Sequence, residues 1–160
     1  LSFGQIRLVE IGVDGLTCSA CTRSVEMSIR KLDFVDSVAM DLTNTNGKIY
    51  FKGPAKVSIE KIAKAVTDAG FSVRYLNAVF NFNNVPISEN FCWSYEGDQY
   101  RFMKTESKIL EGAVLLKFIG NSYMSRKEMK KWGAAIKEAK EKGCPEEQPG
   151  STKNIYNVTL

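Results

Sequence analysis

In the first half of the chain the apolar side chains switch repeatedly between strand-like alternation and the i, i+4 spacing of a helix. That order leaves few ways to build a core. Over residues 3–13, Ile6 and Leu8 share one face while Val9, Ile11 and Val13 share the other. The phase change between the two sets predicts a strand with a bulge. From Ser19 to Lys31 the pattern turns helical, with Cys21, Val25, Ile29 and Leu32 on one stripe. Val38, Met40 and Leu42 alternate again, followed by Asn44-Thr45-Asn46-Gly47 and Ile49-Tyr50-Phe51. Asn-Gly between two apolar runs predicts a hairpin turn. After Gly53-Pro54 an amphipathic stretch runs from Ser58 to Ala69, with Ile59, Ile62, Ala63, Val66 and Ala69 as its buried stripe and Gly70 as its stop. Phe71, Val73 and Tyr75 open a fourth strand. The fold class is α+β, and residues 1–77 read as a ferredoxin-like β-α-β-β-α-β domain, two helices on one face of a four-stranded sheet.

Residues 78–160 follow without a long linker. Asn77–Val85 is rich in Val, Phe and Asn, and Phe91–Tyr95 and Gln99–Met103 flank Glu96-Gly97-Asp98, a second hairpin signal. Ala113–Ile119 is an apolar strand broken only by Lys117. Ser125-Arg126-Lys127-Glu128 matches a capping box, serine bonding forward and glutamate bonding back. The helix it opens carries Met129, Trp132, Ile136 and Ala139 on one side. Arg126, Lys127, Lys130, Lys131, Lys137 and Lys140 make its basic face, read as solvated, with docking to an acidic partner as the functional version. Gly143-Cys144-Pro145 stops the helix, and a polar, mobile stretch to Lys153 precedes a last strand, Ile155–Leu160. This half reads as a small, mostly-β domain with one long helix, a small α+β or partly open β-barrel domain of OB type.

Histidine is absent, which removes Ser-His-Asp and Cys-His catalysis and every imidazole-based metal site. No acid, base and nucleophile constellation remains, so the chain is not expected to be an enzyme. The net charge of +4 is too small to make nucleic acid the default partner, and Trp93, Tyr95 and Tyr100 are not read as a base-stacking surface. No apolar run approaches the roughly 20 residues a spanning helix needs, so no membrane span is expected. The chain begins at Leu1, and a cleaved signal with a periplasmic or secreted location is the expectation, a cytoplasmic one the alternative.

Cys18 and Cys21 sit in Gly15-Leu16-Thr17-Cys18-Ser19-Ala20-Cys21, where a strand runs into a helix. Two thiols there can bind a soft metal, exchange electrons as a disulfide, or pack as small hydrophobes. Unpaired N–H groups and the helix dipole favour thiolates at this junction. With no histidine and no third cysteine in this half, the chain offers two soft ligands. Zinc prefers four, whereas Cu(I) is content with two thiolates.

The element order, the hairpin and the Gly-x-Thr-Cys-x-x-Cys motif at the first βα junction resemble the heavy-metal-associated domain. This is the module of copper chaperones, of the N-terminal tails of copper-pumping ATPases and of the periplasmic mercuric-ion carrier. The resemblance covers residues 3–76 and implies that Cys18 and Cys21 are the metal ligands. The family usually has methionine where this chain has Leu16, a near volume-conserving exchange. Phe71 falls where the family places an aromatic residue near the metal loop and where eukaryotic cytosolic chaperones place lysine. Zinc-type members commonly carry an aspartate beside the first cysteine, and here that position is Thr17.

The combined expectation is a soluble metal carrier that binds Cu(I) first, with Hg(II) or another soft ion behind it, and transfers it by ligand exchange. Its partner would be a metal donor or acceptor such as a metal-transporting ATPase or another carrier. The alternative is a metal-responsive or redox-sensitive docking module whose second domain binds a protein partner. Cys92, beside Trp93 in a strand, reads as a buried structural cysteine, and Cys144 as an exposed one. A disulfide between them and a second metal site are the other readings. The five methionines show no Met-x-x-Met cluster and are read as core.

Overall fold

Each alternating segment of the first half forms a strand and each amphipathic segment a helix, as the spacing predicts. The computed structural model describes residues 5–53, 55–144 and 154–160. In chain order the elements are β1 (Gln5–Asp14), α1 (Ser19–Arg30), β2 (Val35–Asp41), β3 (Asn46–Phe51), α2 (Ile59–Asp68) and β4 (Ser72–Ile87). They continue with β5 (Cys92–Tyr95), β6 (Asp98–Phe102), β7 (Lys108–Ile119), α3 (Arg126–Lys142) and β8 (Ile155–Thr159). The expected start of the first strand at residue 3, Pro54, and the polar stretch with Pro145 through Lys153 lie outside the described residues.

Val9, Ile11, Val13, Ile49 and Leu76 are fully buried on one face of the sheet, under Val25 and Ile29 of α1 and Ile59, Ile62 and Val66 of α2. Each such side chain removed from water stabilises by roughly 1.5–3 kcal/mol. The phase change in β1 is a shift in its pairing with β4 between Ile6 and Leu8. Ser58 caps α2 by accepting from Lys61 N at 3.3 Å, and Gly70 follows the helix with a φ of 91°.

The first hairpin differs from the Asn-Gly expectation. The Asp41 carboxylate accepts from Asn44 N (3.2 Å) and from Asn44 Nδ2 (2.7 Å), and these bonds hold its carboxyl below the usual range. That pull places the turn at residues 42–45, with Thr45 at a φ of 50°. Asn46 and Gly47 already belong to β3, where Gly47 pairs with Met40 and lies under its side chain. Leu42, expected on the core stripe, sits in the turn and is exposed.

All eight strands form one sheet in the order β2-β3-β1-β4-β7-β8-β6-β5. Every pairing is antiparallel except β6 with β8. β4 runs straight through residues 77 and 78, because Leu76, Ala78, Phe80 and Phe82 continue a single alternation on the buried face. Residues 72–81 pair with β1 and residues 77–87 with β7, so the middle of the strand is paired on both sides. The five strands β4-β7-β8-β6-β5 curl until β5 comes back over β4. Trp93 packs on Phe82 at 4.7 Å and on Phe80 at 5.6 Å, and Tyr95 on Phe80 at 5.8 Å, centroid to centroid. Burial pushes the Tyr95 hydroxyl up to about 12, opposed by a hydrogen bond with the Ile6 backbone. Among the described residues this gap between β5 and β4 is bridged by side chains and not by a backbone ladder.

Phe118 faces the aromatic cluster, so its neighbour Ile119 points to the other side of β7. There Ile119, Met103, Met124 and Ala139 form a second small core with Met129, Trp132 and Ile136 of α3. The capping box is half made. Ser125 Oγ accepts from Glu128 N at 3.3 Å, but Glu128 bonds Lys131 at 3.0 Å and the Ser125 N–H donates to the Arg74 carbonyl at 3.2 Å. The serine's donor is thus already taken by β4.

Candidate metal centre

The chain leaves β1 at Asp14 and turns at Gly15, whose φ of 94° belongs to the left-handed region that a side chain disfavours. The Phe71 ring closes against it, and a Cβ at Gly15 would stand 3.2 Å from that ring. Leu16 then drops into the core at 5% exposure, fixing the loop from below. Thr17 and Cys18 emerge on the surface. Leu16 therefore lies beneath the loop and Phe71 beside it, where the family resemblance implies an aromatic residue.

Cys18 is the N-cap of α1, with extended φ and ψ of −150° and 164°. Its sulfur accepts from Cys21 N at 3.3 Å, and its carbonyl accepts the first helical bond from Thr22 N at 3.2 Å. Cys21 lies in the first turn, so both sulfurs face the end of the helix where unpaired N–H groups favour negative charge. The two Sγ atoms are 2.6 Å apart, and both cysteines are free. The Cys21 thiol is held below its ordinary pKa, first by the hydrogen bond with the Cys18 side chain, against partial desolvation, with smaller help from Thr17.

Among the described residues no group of three or more cysteine, aspartate or glutamate side chains gathers to add a ligand. A metal–sulfur bond is about 2.3 Å, so two sulfurs on opposite sides of an ion stand roughly 4.6 Å apart. The observed pair is closer than that. Cargo would spread the sulfurs, of which that of Cys18 belongs to an exposed residue at the cap.

The second cysteine pair departs from the favoured reading. Cys92 and Cys144 form a disulfide, which removes them as a metal site, and Cys144 is buried at 8% exposure instead of exposed. Its sulfur receives a bond from Arg101 Nη2 at 3.6 Å. The cause is the curl of the sheet, which carries edge strand β5 to the end of α3. Tyr100, weighed as a stacking residue, is buried within the aromatic cluster. Arg126, Lys127, Lys130, Lys131, Lys137 and Lys140 of the basic face of α3 are all exposed. No helix among the described residues is long and apolar enough to cross a membrane.

Sequence reasoning passed over Arg74, which reaches the root of the loop through Val13 O and Asp14 Oδ1. It stands between Val73 and Tyr75 in an alternating strand and so reads as an ordinary solvent-facing side chain.

Residues 10–72 match the heavy-metal-associated domain. The mercuric transport protein periplasmic component of Pseudomonas fluorescens is 38% identical over 63 residues, covering 39% of this chain and 68% of that protein. The copper-transporting ATPase HMA5 of Oryza sativa subsp. japonica is 33% identical over 73 residues, covering 46% of this chain. The chain spans only 7% of that ATPase's length. Among solved structures, oxidized MerP from Ralstonia metallidurans CH34 is 35% identical with a TM-score of 0.39, covering 43% of this chain and 97% of that one. The domain match and a relative aligned over about two thirds of its own length agree: the chain belongs to the heavy-metal-associated domain family, through residues 10–72.

Proposed function

We propose that the chain is a carrier of one soft ion, Cu(I) before Hg(II), held by Cys18 and Cys21 and passed on by ligand exchange. The observation that carries this reading is the convergence of two free thiols at an exposed helix start with no third donor beside them. Two soft sulfurs suit a d¹⁰ ion that accepts two-coordination and leave zinc short of its four ligands. Copper-transporting ATPases and a mercuric transport protein among the relatives support the same class of cargo.

Transfer involves no change of oxidation state. A partner's thiol loses its proton and its sulfur bonds the ion, giving a three-coordinate bridge. The sulfur of Cys18 or Cys21 then leaves and takes up a proton, and a second exchange completes the handover. Low coordination leaves the ion open to the incoming sulfur, so tight binding and fast release are compatible. The partner is a metal donor or acceptor with exposed thiols, such as a metal-transporting ATPase or another carrier. Residues 78–160 are non-catalytic in this reading, a partly open barrel of OB type that shares β4 with the first half. The parallel β6–β8 pair and the side-chain contact of β5 with β4 support that description. The Cys92–Cys144 disulfide supports an oxidising compartment, periplasmic or secreted.

The test is an anaerobic competition titration of the protein with Cu(I) against a chromophoric chelator, reducing Cys18 and Cys21. Tight one-to-one binding lost in Cys18→Ser/Cys21→Ser supports the carrier. Binding that survives the double substitution rules these ligands out, and absence of binding in the unmodified protein moves redox exchange or docking to the front.

A further inference from the structure

Arg74 is the odd residue of β4. Pairing of β4 with β1 runs from Gly12 opposite Tyr75 directly to Val13 opposite Val73, so Arg74 is the extra residue of a bulge. A bulge re-aims the side chain of its extra residue, and this one sends the guanidinium across the end of β1 to the β2–β3 turn. Nη1 donates to Val13 O at 3.1 Å, to Asp14 Oδ1 at 3.2 Å and to Thr45 Oγ1 at 3.0 Å. Nη2 donates to the carbonyls of Asn44 and Thr45, each at 3.3 Å. The Thr45 carbonyl also accepts from Val13 N at 2.9 Å. One planar fork thus ties the last two residues of β1 to the neighbouring turn.

The same residue is held from its other side. The Arg74 carbonyl accepts from the N–H of Ser125, the N-cap of α3, at 3.2 Å. Tyr75 forms an isolated bridge with Met124. The Tyr75 ring lies over Gly12, where no Cβ would fit, and the guanidinium stands 5.3 Å from the centre of that ring. Backbone, ring and fork together leave Arg74 little freedom, and only Gly15, Leu16 and Thr17 separate its contact at Asp14 from Cys18.

We propose that Arg74 is a positioning residue for the thiol pair. It fixes the point at which the chain leaves β1, and with it the spread that the Cys18 and Cys21 sulfurs adopt around cargo, while α3 holds Arg74 in place through Ser125. This rests on the reading of Cys18 and Cys21 as the ligands. A lysine could supply the charge but not the fork that spans strand end and turn.

The test uses the full chain with Arg74→Gln, Arg74→Lys, Thr45→Val and Arg74→Gln/Thr45→Val. Cu(I) affinity is measured by chelator competition, and amide hydrogen exchange is measured on the metal-free protein. Loss of a group bonded directly to a metal ligand costs about 10–100-fold in affinity; Arg74 acts through the loop, so a loss at the lower end of that range is expected for Arg74→Gln, with partial recovery in Arg74→Lys. Losses in Arg74→Gln and Thr45→Val should fall short of additive, as for two members of one network. Amides of residues 13–17 should exchange faster in Arg74→Gln while those of α2 stay as they were. Unchanged affinity with unchanged exchange at residues 13–17 would overturn the proposal. So would an acceleration shared equally by α2, which would make Arg74 a general stabiliser. If the unmodified protein fails to bind Cu(I), the ligand reading falls, and the exchange contrast alone decides whether Arg74 holds the loop.

Discussion

Cys18 and Cys21 stand three residues apart at an exposed helix start, whereas Cys92 and Cys144 stand 52 residues apart and tie an edge strand to the end of a helix. The first pair is left as thiols and the second is joined. A cross-link stabilises chiefly by restricting the unfolded chain, and the effect grows with the loop it closes. Joining Cys18 to Cys21 would restrict almost nothing, so that pair is free for chemistry. Joining Cys92 to Cys144 closes a loop over most of the second half. The cores differ in the same sense. Small aliphatic side chains beneath α1 and α2 let two helices pack closely on the sheet, while eight aromatic rings fill the curl between β4 and β5.

This contrast can be broken at several points. Phe80 touches Phe82, Trp93, Tyr95 and Tyr100, so Phe80→Ala should cost about 3–5 kcal/mol in urea unfolding. Ile29→Val on the buried face of α1 should cost only about 0.5–1.5 kcal/mol; equal losses would mean the aromatic core is not packed as described. Cys92→Ser/Cys144→Ser should lower stability by about 2–4 kcal/mol and leave Cu(I) affinity intact. A large fall in affinity there would show that the second half supplies ligands.

Finer changes sharpen it. Ser125→Ala removes only the helix cap and should cost about 0.5–2 kcal/mol. Ser125→Pro keeps the φ of −66° but also deletes the N–H bonded to Arg74. Faster exchange at residues 13–17 is expected in the proline variant alone. The smallest effect concerns reactivity. Because the Cys18 side chain is the main cause of the lowered Cys21 pKa, Cys18→Ala should shift the pH profile of Cys21 alkylation upwards. A profile that stays in place would assign the effect to the helix end instead.

Much of this arrangement was legible in the sequence. Val9, Ile11 and Val13 against Val25 and Ile29 declared a strand and a helix by period alone, and the motif at their junction located Cys18 and Cys21. What escaped depends on contacts between distant segments. Gly47 looked like a turn glycine until the Asp41 carboxylate drew the turn back onto Thr45. Cys144 looked exposed because nothing local reveals that β5 curls round to meet it. Arg74 was passed over because a bulge in β4 is invisible to a rule of alternation. The strand itself carried no mark of a division at residue 77, since its buried face stays apolar on both sides.

The place of β8 has a consequence for the order of assembly. It lies between β7 and β6, so among the described residues the β5–β6 hairpin gains backbone pairing to the rest of the sheet only through residues 155–159. During synthesis from the N-terminus, β1 through β4 can complete their own pairings as soon as they emerge. The hairpin, though made earlier than β7 and α3, must wait for β8 before its backbone is paired into the sheet. The strands and helices that carry Cys18 and Cys21 can thereby pair before the aromatic half has closed.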